Sequence, residues 1–592
     1  MFPAGVSPNS VTFRGLVYAT SITFAAGFNA DLSFQKNGLG EYVELSTGLT
    51  IPTGYSGNLD INGLSVPSLT FPTNYPGPFT FNCLTVTSNN GLNYPTNYNG
   101  PITIGGSFNV KGNQFPAGYT GPITIGDSGG TFAIANTICR QGASIGFDAG
   151  IFIPNTISSL TINNAKTGGT GSLNIKLGAA DNFKLLLAGS SDVKGYIEVP
   201  FGAALTIDSK EHPGVGSQEG TLKITADSNT AIGVTGSANN GAITINGGKT
   251  VATCTGSGAG IGSTSSNTID TVAHITINNG TVIASANGDG AGIGSGSGAT
   301  GGYPNDTTSV GAVIQINDGT VTGNGGDVER IFLGSGAYSG AGIGGGKGAC
   351  ADITIAGGNI TANSMHGAGI GNGTGGSGVA RGSVVITGGT IRGYSMDGAN
   401  IGAGVGGGYR STYLINKEAD IMMYRRGASM NDGGSLVGWC GNPNGNVDAV
   451  GYNGDSHGDG YLVNVFWWDI IKGDLYVYKL NPDGTNAFAK RFPISKDDPY
   501  ATILFSTGHS ETENFRVFVD RSDYYGNPVG MKQAVHYYDH LPPLPGGGPS
   551  ILQKKLNIIP SITHMNSYPH NFEGATWDTL YAAFAVFVKK KM

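Results

Sequence analysis

A two-part phrase that occurs five times between about residues 240 and 410 constrains this chain more than any other feature. The first part is an alternating run that ends in a glycine turn, such as ITINGG at 243–248. The second part is Gly-Ala-Gly-Ile-Gly or a close variant, with its isoleucine at 261, 293, 343, 370 and 401. From the start of each run to that isoleucine the spacing is 18, 18, 29, 17 and 17 residues. A nearly fixed spacing with one insertion predicts the stacked coils of a β-solenoid.

The side-chain pattern within each run agrees with stacking. In ITIN the two isoleucines point to one face and the polar residues to the other, because successive side chains of a strand alternate. Coils about 4.8 Å apart would place isoleucine above isoleucine as a continuous core. The glycines fit the corners, where a left-handed backbone is needed. We therefore interpret residues 238–410 as a β-helix built from this repeat.

A second repeat precedes the first and centres on tyrosine. Phrases such as YPTNYNGPITI at 94–104 recur with steps of 20, 23 and 21 residues between their tyrosines, which are Tyr55, Tyr75, Tyr98 and Tyr119. A turn again leads into an alternating strand, so residues 1–237 are predicted to be solenoid as well. We expect the rings to pack at a solenoid corner, since aromatic side chains bury large areas. The alternative is an external aromatic ladder that stacks on sugars.

The amino-acid composition changes near residue 411: glycine becomes rarer, and all four tryptophans lie beyond this point. Segments such as YLVNVFWWDII read as ordinary strands joined by turns. We expect a compact β domain at 411–540, then a linker and a C-terminal module or arm at 541–592. The fold class predicted is all-β: a right-handed parallel β-helix followed by a compact, β-sandwich-like C-terminal domain.

Composition excludes several classes of function. The net charge is −7 and no basic block occurs, so we expect no nucleic-acid partner. The five cysteines lie far apart without a CxxC pair, which argues against a disulfide scaffold and a zinc site. The N-terminus lacks the pattern of a secretory signal, and no run reaches about 18 apolar residues, so neither an export leader nor a membrane span is predicted.

Glycine-rich loops often bind phosphate or calcium, so the repeated glycine turns raise two hypotheses: a nucleotide site and a calcium site. GNGTGG at 371–376 matches a dinucleotide-binding pattern, but that motif requires a following helix, and none is indicated. A calcium roll needs an aspartate in each glycine turn, and only Asp289 and Asp397 occupy such positions. We therefore expect no cofactor and no metal site.

The one long insertion in the repeat offers the best candidate for a ligand-binding site. A loop that leaves a regular solenoid is where it most readily meets a partner. The insertion and the loop before its coil supply the candidate residues Tyr303, Asp306, Asp327, Glu329, Arg330 and Tyr338. A glycosidase or lyase would place a carboxylate pair there, which sequence cannot establish. We assign no catalytic residue and keep a solvated loop as the alternative.

The coils at 240–410 resemble bacterial surface proteins with right-handed parallel β-helices, some of which are described as carbohydrate-binding. The matching residues are 243–248 with 258–262 and their later copies, all core and corner positions. In layout, a solenoid followed by a β end domain also looks like a phage tail spike or fibre. These resemblances imply a fold rather than a site.

Two expectations about function remain open. The first is a non-enzymatic virion appendage, a rigid phage fibre or spike that binds a host-surface polysaccharide and other virion proteins. Cytoplasmic assembly would suit its unpaired cysteines. The second is a secreted bacterial adhesin or carbohydrate-binding β-helix at the cell surface. A polysaccharide-degrading enzyme is a third reading. A homotrimer is expected only if the C-terminal domain brings it about.

Overall fold

The fold is described from a computed structural model. Side chains are described over most of residues 9–404, and beyond that range the backbone of the strands is described. The gaps up to residue 404 are 16–17, 26, 89–90, 111–112, 117, 127–135, 141–150, 154–155, 168–171, 201, 210–218, 228–229, 235–238, 266–270, 299–309, 327–338, 376–381, 396–397 and 403. The described residues form strands and turns without a helix.

The chain divides into two compact units, and each is described by itself. Unit 1 comprises Met1–Asn287 and Gly294–Gly301, and unit 2 comprises Gly288–Ile293 and Gly302–Met592. The four domain boundaries expected from the sequence remain predictions. In both units each coil adds short strands to parallel sheets, which we call the A, B and C sheets in the order in which a coil enters them.

The A sheet of unit 1 is a long parallel stack. Its strands pair in register with the equivalent strand of the next coil. They are Ser10–Arg14, Asp31–Gln35, Leu59–Val66, Phe79–Val86, Ile102–Val110, Ile123–Ile125, Ser159–Asn163, Asn182–Ala188, Ala204–Ser209, Asn239–Ile245 and Thr271–Ile277. In the early coils this strand bends, and the second half of Leu59–Val66 continues a ladder formed by Tyr18–Ala19 and Val43–Leu45.

The other sheets of unit 1 are built from shorter strands. The B sheet contains Ser190–Lys194, Thr221–Ala226, Lys249–Cys254 and Thr281–Ala286. The C sheet contains Asn113–Gln114, Ile151–Ile153, Asn136–Arg140, Leu173–Lys176, Ile197–Val199, Ile232–Val234 and Ile261–Ser263. In the early coils a separate parallel ladder joins Leu49–Thr50, Leu69–Thr70 and Leu92–Asn93.

Unit 2 repeats this arrangement with three parallel sheets. Its A sheet is Ala312–Ile316, Ala351–Ile355, Ser383–Ile386 and Thr412–Ile415. Its B sheet is Thr320–Gly325, Asn359–Ser364, Thr390–Ser395 and Asp420–Tyr424. Its C sheet is Ile343–Gly344, Ile370–Gly371, Ile401–Gly402 and Val437–Gly438. A further short strand is Ile293–Gly294. The predicted all-β class and parallel β-helix are thereby confirmed.

The pairing changes from parallel to antiparallel in the C-terminal part of unit 2. Tyr500–Ser506 pairs antiparallel with the last B-sheet strand. From it the antiparallel order is Gly460–Phe466, Ala585–Lys589, Ile551–Ile559, Pro528–His540, Phe515–Ser522, Lys472–Leu480 and Asn486–Ser495. The transition falls in the region where the sequence composition changes.

The repeated phrase forms both the core and a close backbone contact. The isoleucines of all five copies are fully buried, as predicted. Gly358 ends its alternating run with φ +88°, the left-handed turn expected there. Gly344 plays a different part, because it lies within a C-sheet strand with φ +142°. A Cβ on Gly344 would overlap the carbonyl oxygen of Gly371 in the next coil, so this glycine permits close stacking of backbones.

The repeated tyrosines lie inside the corners of the early coils. Tyr55, Tyr75, Tyr98 and Tyr119 are at most 5% exposed. Their rings stack, with centroids 5.9 Å apart for the first two and 6.2 Å apart for the last two. The packing interpretation is confirmed and the external sugar ladder is excluded. The rings contact one another as well as the turn that carries them.

Each ring is also fixed by its hydroxyl group. The Tyr98 hydroxyl donates to the carbonyl of Pro101 in its own coil (3.0 Å) or of Gly77 in the coil before (2.9 Å). Burial raises the pKa of Tyr98 above that of an ordinary phenol. The glycine two residues after each tyrosine leaves room for this hydroxyl: a Cβ on Gly77 would stand 2.5 Å from the hydroxyl oxygen of Tyr75.

Candidate ligand-binding surface

The six residues expected to bind a ligand all lie outside the described residues. They are Tyr303, Asp306, Asp327, Glu329, Arg330 and Tyr338. Their assignment stays a prediction. The residues that flank the longer insertion are described, and they fix the point at which it joins the solenoid.

The two ends of the insertion at 327–338 meet at one point of unit 2. Gly326 directly follows the B-sheet strand Thr320–Gly325 and has φ +75°. A Cβ placed on Gly326 would stand 2.6 Å from the Cβ of Ser339, the first residue after the insertion. The inserted segment therefore begins and ends at neighbouring positions, beside the end of one B-sheet strand.

Ser339 is held firmly in the solenoid. Its hydroxyl oxygen accepts hydrogen bonds from the backbone N–H groups of His366 and Gly367, both at 2.8 Å. Its own N–H donates to the hydroxyl of Thr374, and that hydroxyl can donate to the Ser339 carbonyl, each at 3.0 Å. Ser339 is 2% exposed. Because four contacts from the following coil hold it, the base of the insertion is a fixed part of the core.

Beside this base the B sheet presents a regular polar face. Three successive strands are TVTGNG, NITANS and TIRGYS, and every second residue is buried in each. The alternate residues point outward and stand in register from coil to coil. We call these the nine-residue face; they are Thr320, Thr322, Asn324, Asn359, Thr361, Asn363, Thr390, Arg392 and Tyr394.

The nine-residue face forms three columns across the coils. The first column is Thr320, Asn359 and Thr390; the second is Thr322, Thr361 and Arg392; the third is Asn324, Asn363 and Tyr394. All nine are half-buried or exposed. Neighbours in a column lie about 4.8 Å apart, and neighbours along a strand about 7 Å apart. The third column ends beside the base of the insertion, because Asn324 precedes Gly326 by two residues.

The chemistry of this face suits hydrogen bonding to hydroxyl groups. The Asn363 amide donates to the amide oxygen of Asn324 at 2.9 Å, which sets the orientation of both planes. An amide carries two donor hydrogens and an acceptor oxygen, so it can both donate to and accept from hydroxyl groups. Arg392 adds a planar guanidinium with five donors, and Tyr394 adds an aromatic ring with a hydroxyl.

The B sheet of unit 1 has a different outer face. There Asp192 forms an ion pair with Lys223 at 3.0 Å, and the same column continues with Val251 and Ile283. One cation is thus paired within the sheet, and the next two positions are apolar. The combination of amides, guanidinium and aromatic ring belongs to the face in unit 2.

The described residues were compared with the requirements of a glycosidase site and of a metal site. None of the nine outward residues carries a carboxylate, so this face does not supply a glycosidase pair. The described part of the chain contains no group of three or more His, Cys, Asp or Glu placed to hold a metal ion. Burial raises the pKa of the Cys350 thiol to about 12 and also raises that of Cys254, so both stay protonated and serve packing.

Comparison with known proteins leaves the family open. No family model, curated protein or solved structure matches this chain significantly. Over the residues that the structure describes, no helix is long and apolar enough to cross a membrane.

The nine-residue face was not predicted from the sequence, although the signal was present. The outward residues become apparent only when the second strand of each coil is aligned with the next, which places Asn324, Asn363 and Tyr394 in one column. A single strand such as TIRGYS resembles any exposed strand. The insertion was predicted as a binding site from the sequence, and the described residues at its base lie directly beside this face.

Proposed function

We propose that this chain is a non-enzymatic structural and adhesion protein, a fibre or spike of a phage virion that binds a glycan on the host surface. The nine-residue face carries this proposal. It combines side-chain amides, hydroxyls, a guanidinium and an aromatic ring on a rigid sheet, beside the fixed base of a long insertion. A rigid sheet holds the backbone of these residues in place, which reduces the ordering cost of binding.

Two features support a virion protein. Cys83, Cys254 and Cys350 are buried and form no disulfide among the described residues, which suits a protein that folds and assembles in a reducing compartment. Parallel coils give way to antiparallel strands toward the C-terminus, a layout that resembles a spike or fibre. Other virion proteins would then be its structural partners, and a homotrimer would form through the C-terminal strands.

A secreted bacterial adhesin is the second candidate. The repeated Gly-Ala-Gly-Ile-Gly corners favour it, because they resemble those of bacterial surface β-helix proteins. Both candidates use the same face and the same class of ligand. Mass spectrometry of purified virions and of the bacterial cell-surface fraction separates them, since each candidate requires the chain in one fraction and not in the other.

Glycan binding is tested by applying the purified full chain to an array of bacterial surface polysaccharides. We expect retention of at least one polysaccharide, and loss of about 10-fold or more in affinity for the double variant Asn363→Ala, Tyr394→Ala. Thr253→Ala, on the B sheet of unit 1, is the matched control and should bind as the native chain does. If the double variant binds the polysaccharide as tightly as the native chain does, the glycan does not bind at this face.

The same incubation tests the absence of enzymatic activity. We expect each bound polysaccharide to keep its chain length, measured by size-exclusion chromatography before and after prolonged incubation. Shortened chains would show that the protein is a hydrolase or lyase.

A further inference from the structure

We infer that the nine-residue face binds an anionic glycan, with Arg392 as the contact for a sugar carboxylate. This inference rests on the proposed function and narrows it to one class of ligand. It depends on the position of Arg392 in the face, on its charge environment, and on the hydrogen-bonding groups around it.

Arg392 occupies the middle column of the face. Its neighbour in the previous coil is Thr361, and the outward residues on its own strand are Thr390 and Tyr394. The adjacent coil places Met422 beside Arg392 in the register, and Asp420 beside Thr390. The guanidinium thus has hydroxyl and aromatic residues as its nearest outward neighbours along the strand and toward the previous coil.

The charge of Arg392 distinguishes it from four of the lysines on the described coils, although Lys194 and Lys249 on the B sheet of unit 1 also form no ion pair there. Ion pairs join four lysines to carboxylates, at 2.8 to 3.4 Å: Lys176–Glu198, Lys184–Asp208, Lys223–Asp192 and Lys347–Asp289. No ion pair joins Arg392 to a carboxylate among the described residues. A half-buried cation without a carboxylate partner among the described residues is a favourable position for an anion.

The chemistry of arginine selects a carboxylate. Its planar fork donates two parallel hydrogen bonds to the two oxygens of a carboxylate, which a point charge such as lysine cannot reproduce. Asn363 lies one coil and one column away from Arg392, close enough for its amide to reach a hydroxyl of the same sugar or its neighbour. Tyr394, next along the strand, offers a ring to the apolar face of a sugar.

The dimensions of the face fit several sugar units. Three coils span about 10 Å, and the three columns span about 13 Å along the strands. One sugar at Arg392 leaves room for a neighbour over Asn363 and Asn324, toward the base of the insertion. We therefore place the carboxylate at Arg392 and the next sugar of the chain in the direction of Gly326.

The test uses biolayer interferometry on the immobilised full chain with two pairs of probes. One pair is hyaluronan and its carboxyl-reduced form; the other is polysialic acid and its carboxyl-reduced form. Dextran and the polysaccharides retained on the array are run beside them. We expect at least one acidic probe to bind 10-fold or more tightly than its reduced form, and its affinity to fall as salt is raised.

Variants then assign the carboxylate contact to Arg392. Arg392→Ala should weaken binding of the acidic probe by about 10- to 100-fold, and Arg392→Lys should recover only part of that loss. Lys223→Ala removes a cation from unit 1 and should leave binding unchanged. Both Arg392 variants replace a partly exposed side chain, and circular dichroism verifies that they fold.

Three outcomes overturn the inference. Equal binding of an acidic probe and its reduced form, or of the native chain and Arg392→Ala, contradicts it while glycan adhesion itself stands. Binding of dextran or an array polysaccharide without any acidic probe has the same meaning. If no polysaccharide of any kind binds, both this inference and the proposed glycan adhesion are wrong.

Discussion

The early tyrosine coils and the later Gly-Ala-Gly-Ile-Gly coils are stabilised by opposite means. In the early coils, stacked rings such as Tyr98 and Tyr119 fill the interior, and a glycine makes room for each hydroxyl. In the later coils, glycines such as Gly344 bring the backbones of successive coils together without a side chain between them. The same fold can thus be stabilised by aromatic rings that fill the interior or by glycines that let backbones come into close contact. Removal of a side chain should damage the first kind of coil, and addition of one should damage the second.

The largest effect is expected from Gly344→Val. Its side chain would overlap the Gly371 carbonyl, and φ +142° is unfavourable for a β-branched residue. We expect a loss of about 4 kcal/mol or more in the free energy of unfolding of these coils. Urea denaturation followed by limited proteolysis measures it. Thr354→Val, on the exposed side of an A-sheet strand, is the control, and equal stability of the two variants would refute the close-contact role.

The next effect is expected from Tyr98→Ala, which empties a corner of the early coils. A buried aromatic ring removed in this way costs about 3–5 kcal/mol, and the carbonyls of Pro101 and Gly77 lose the hydroxyl that donates to one of them. Proteolysis should begin in the tyrosine coils, at a lower urea concentration than in the native chain. Thr80→Ala, at an outward position of the A sheet, should leave the transition in place.

A double-mutant cycle at Gly77 and Tyr75 sharpens the comparison. Gly77→Ala should cost about 1–3 kcal/mol, because the new Cβ would meet the Tyr75 hydroxyl and ring. In a Tyr75→Ala background the same change should cost close to nothing, since the obstacle is a side chain. Additive costs would show that Gly77 is required for its backbone and not for the ring.

The smallest effect per residue concerns pH. Burial raises the pKa of Tyr55, Tyr98 and Tyr119 in the folded state above the ordinary value near 10. Their contribution to stability is therefore present below pH 10 and declines as pH rises above it. At pH 11 the contribution of each of these tyrosines to the free energy of unfolding should be smaller by about 1 kcal/mol. Tyrosinate absorbance followed with urea denaturation measures this loss, and a transition unchanged between pH 9 and pH 11 would contradict it.

The sequence was most informative where a residue repeats with the coil. The isoleucine rungs, the glycine turns and the packing of the tyrosines follow from period and residue type, and all are found in the structure. The nine-residue face was missed because it depends on register between strands about 30 residues apart, such as Asn363 and Tyr394. Gly344 was predicted to lie in a turn. The sequence around a glycine does not show which carbonyl group of a neighbouring coil lies close to it.

The anchoring of Ser339 has a consequence for how this protein can change. Gly326 and Ser339, which flank residues 327–338, are adjacent in space, and hydrogen bonds from the following coil hold Ser339. Doubling the length of such a segment costs only about 0.6 kcal/mol in closure entropy. Foreign sequences should therefore be tolerated at this position while the coils keep their packing. The inserted segment can therefore be exchanged while the coils that carry it stay the same, and this would allow peptides to be grafted at this position.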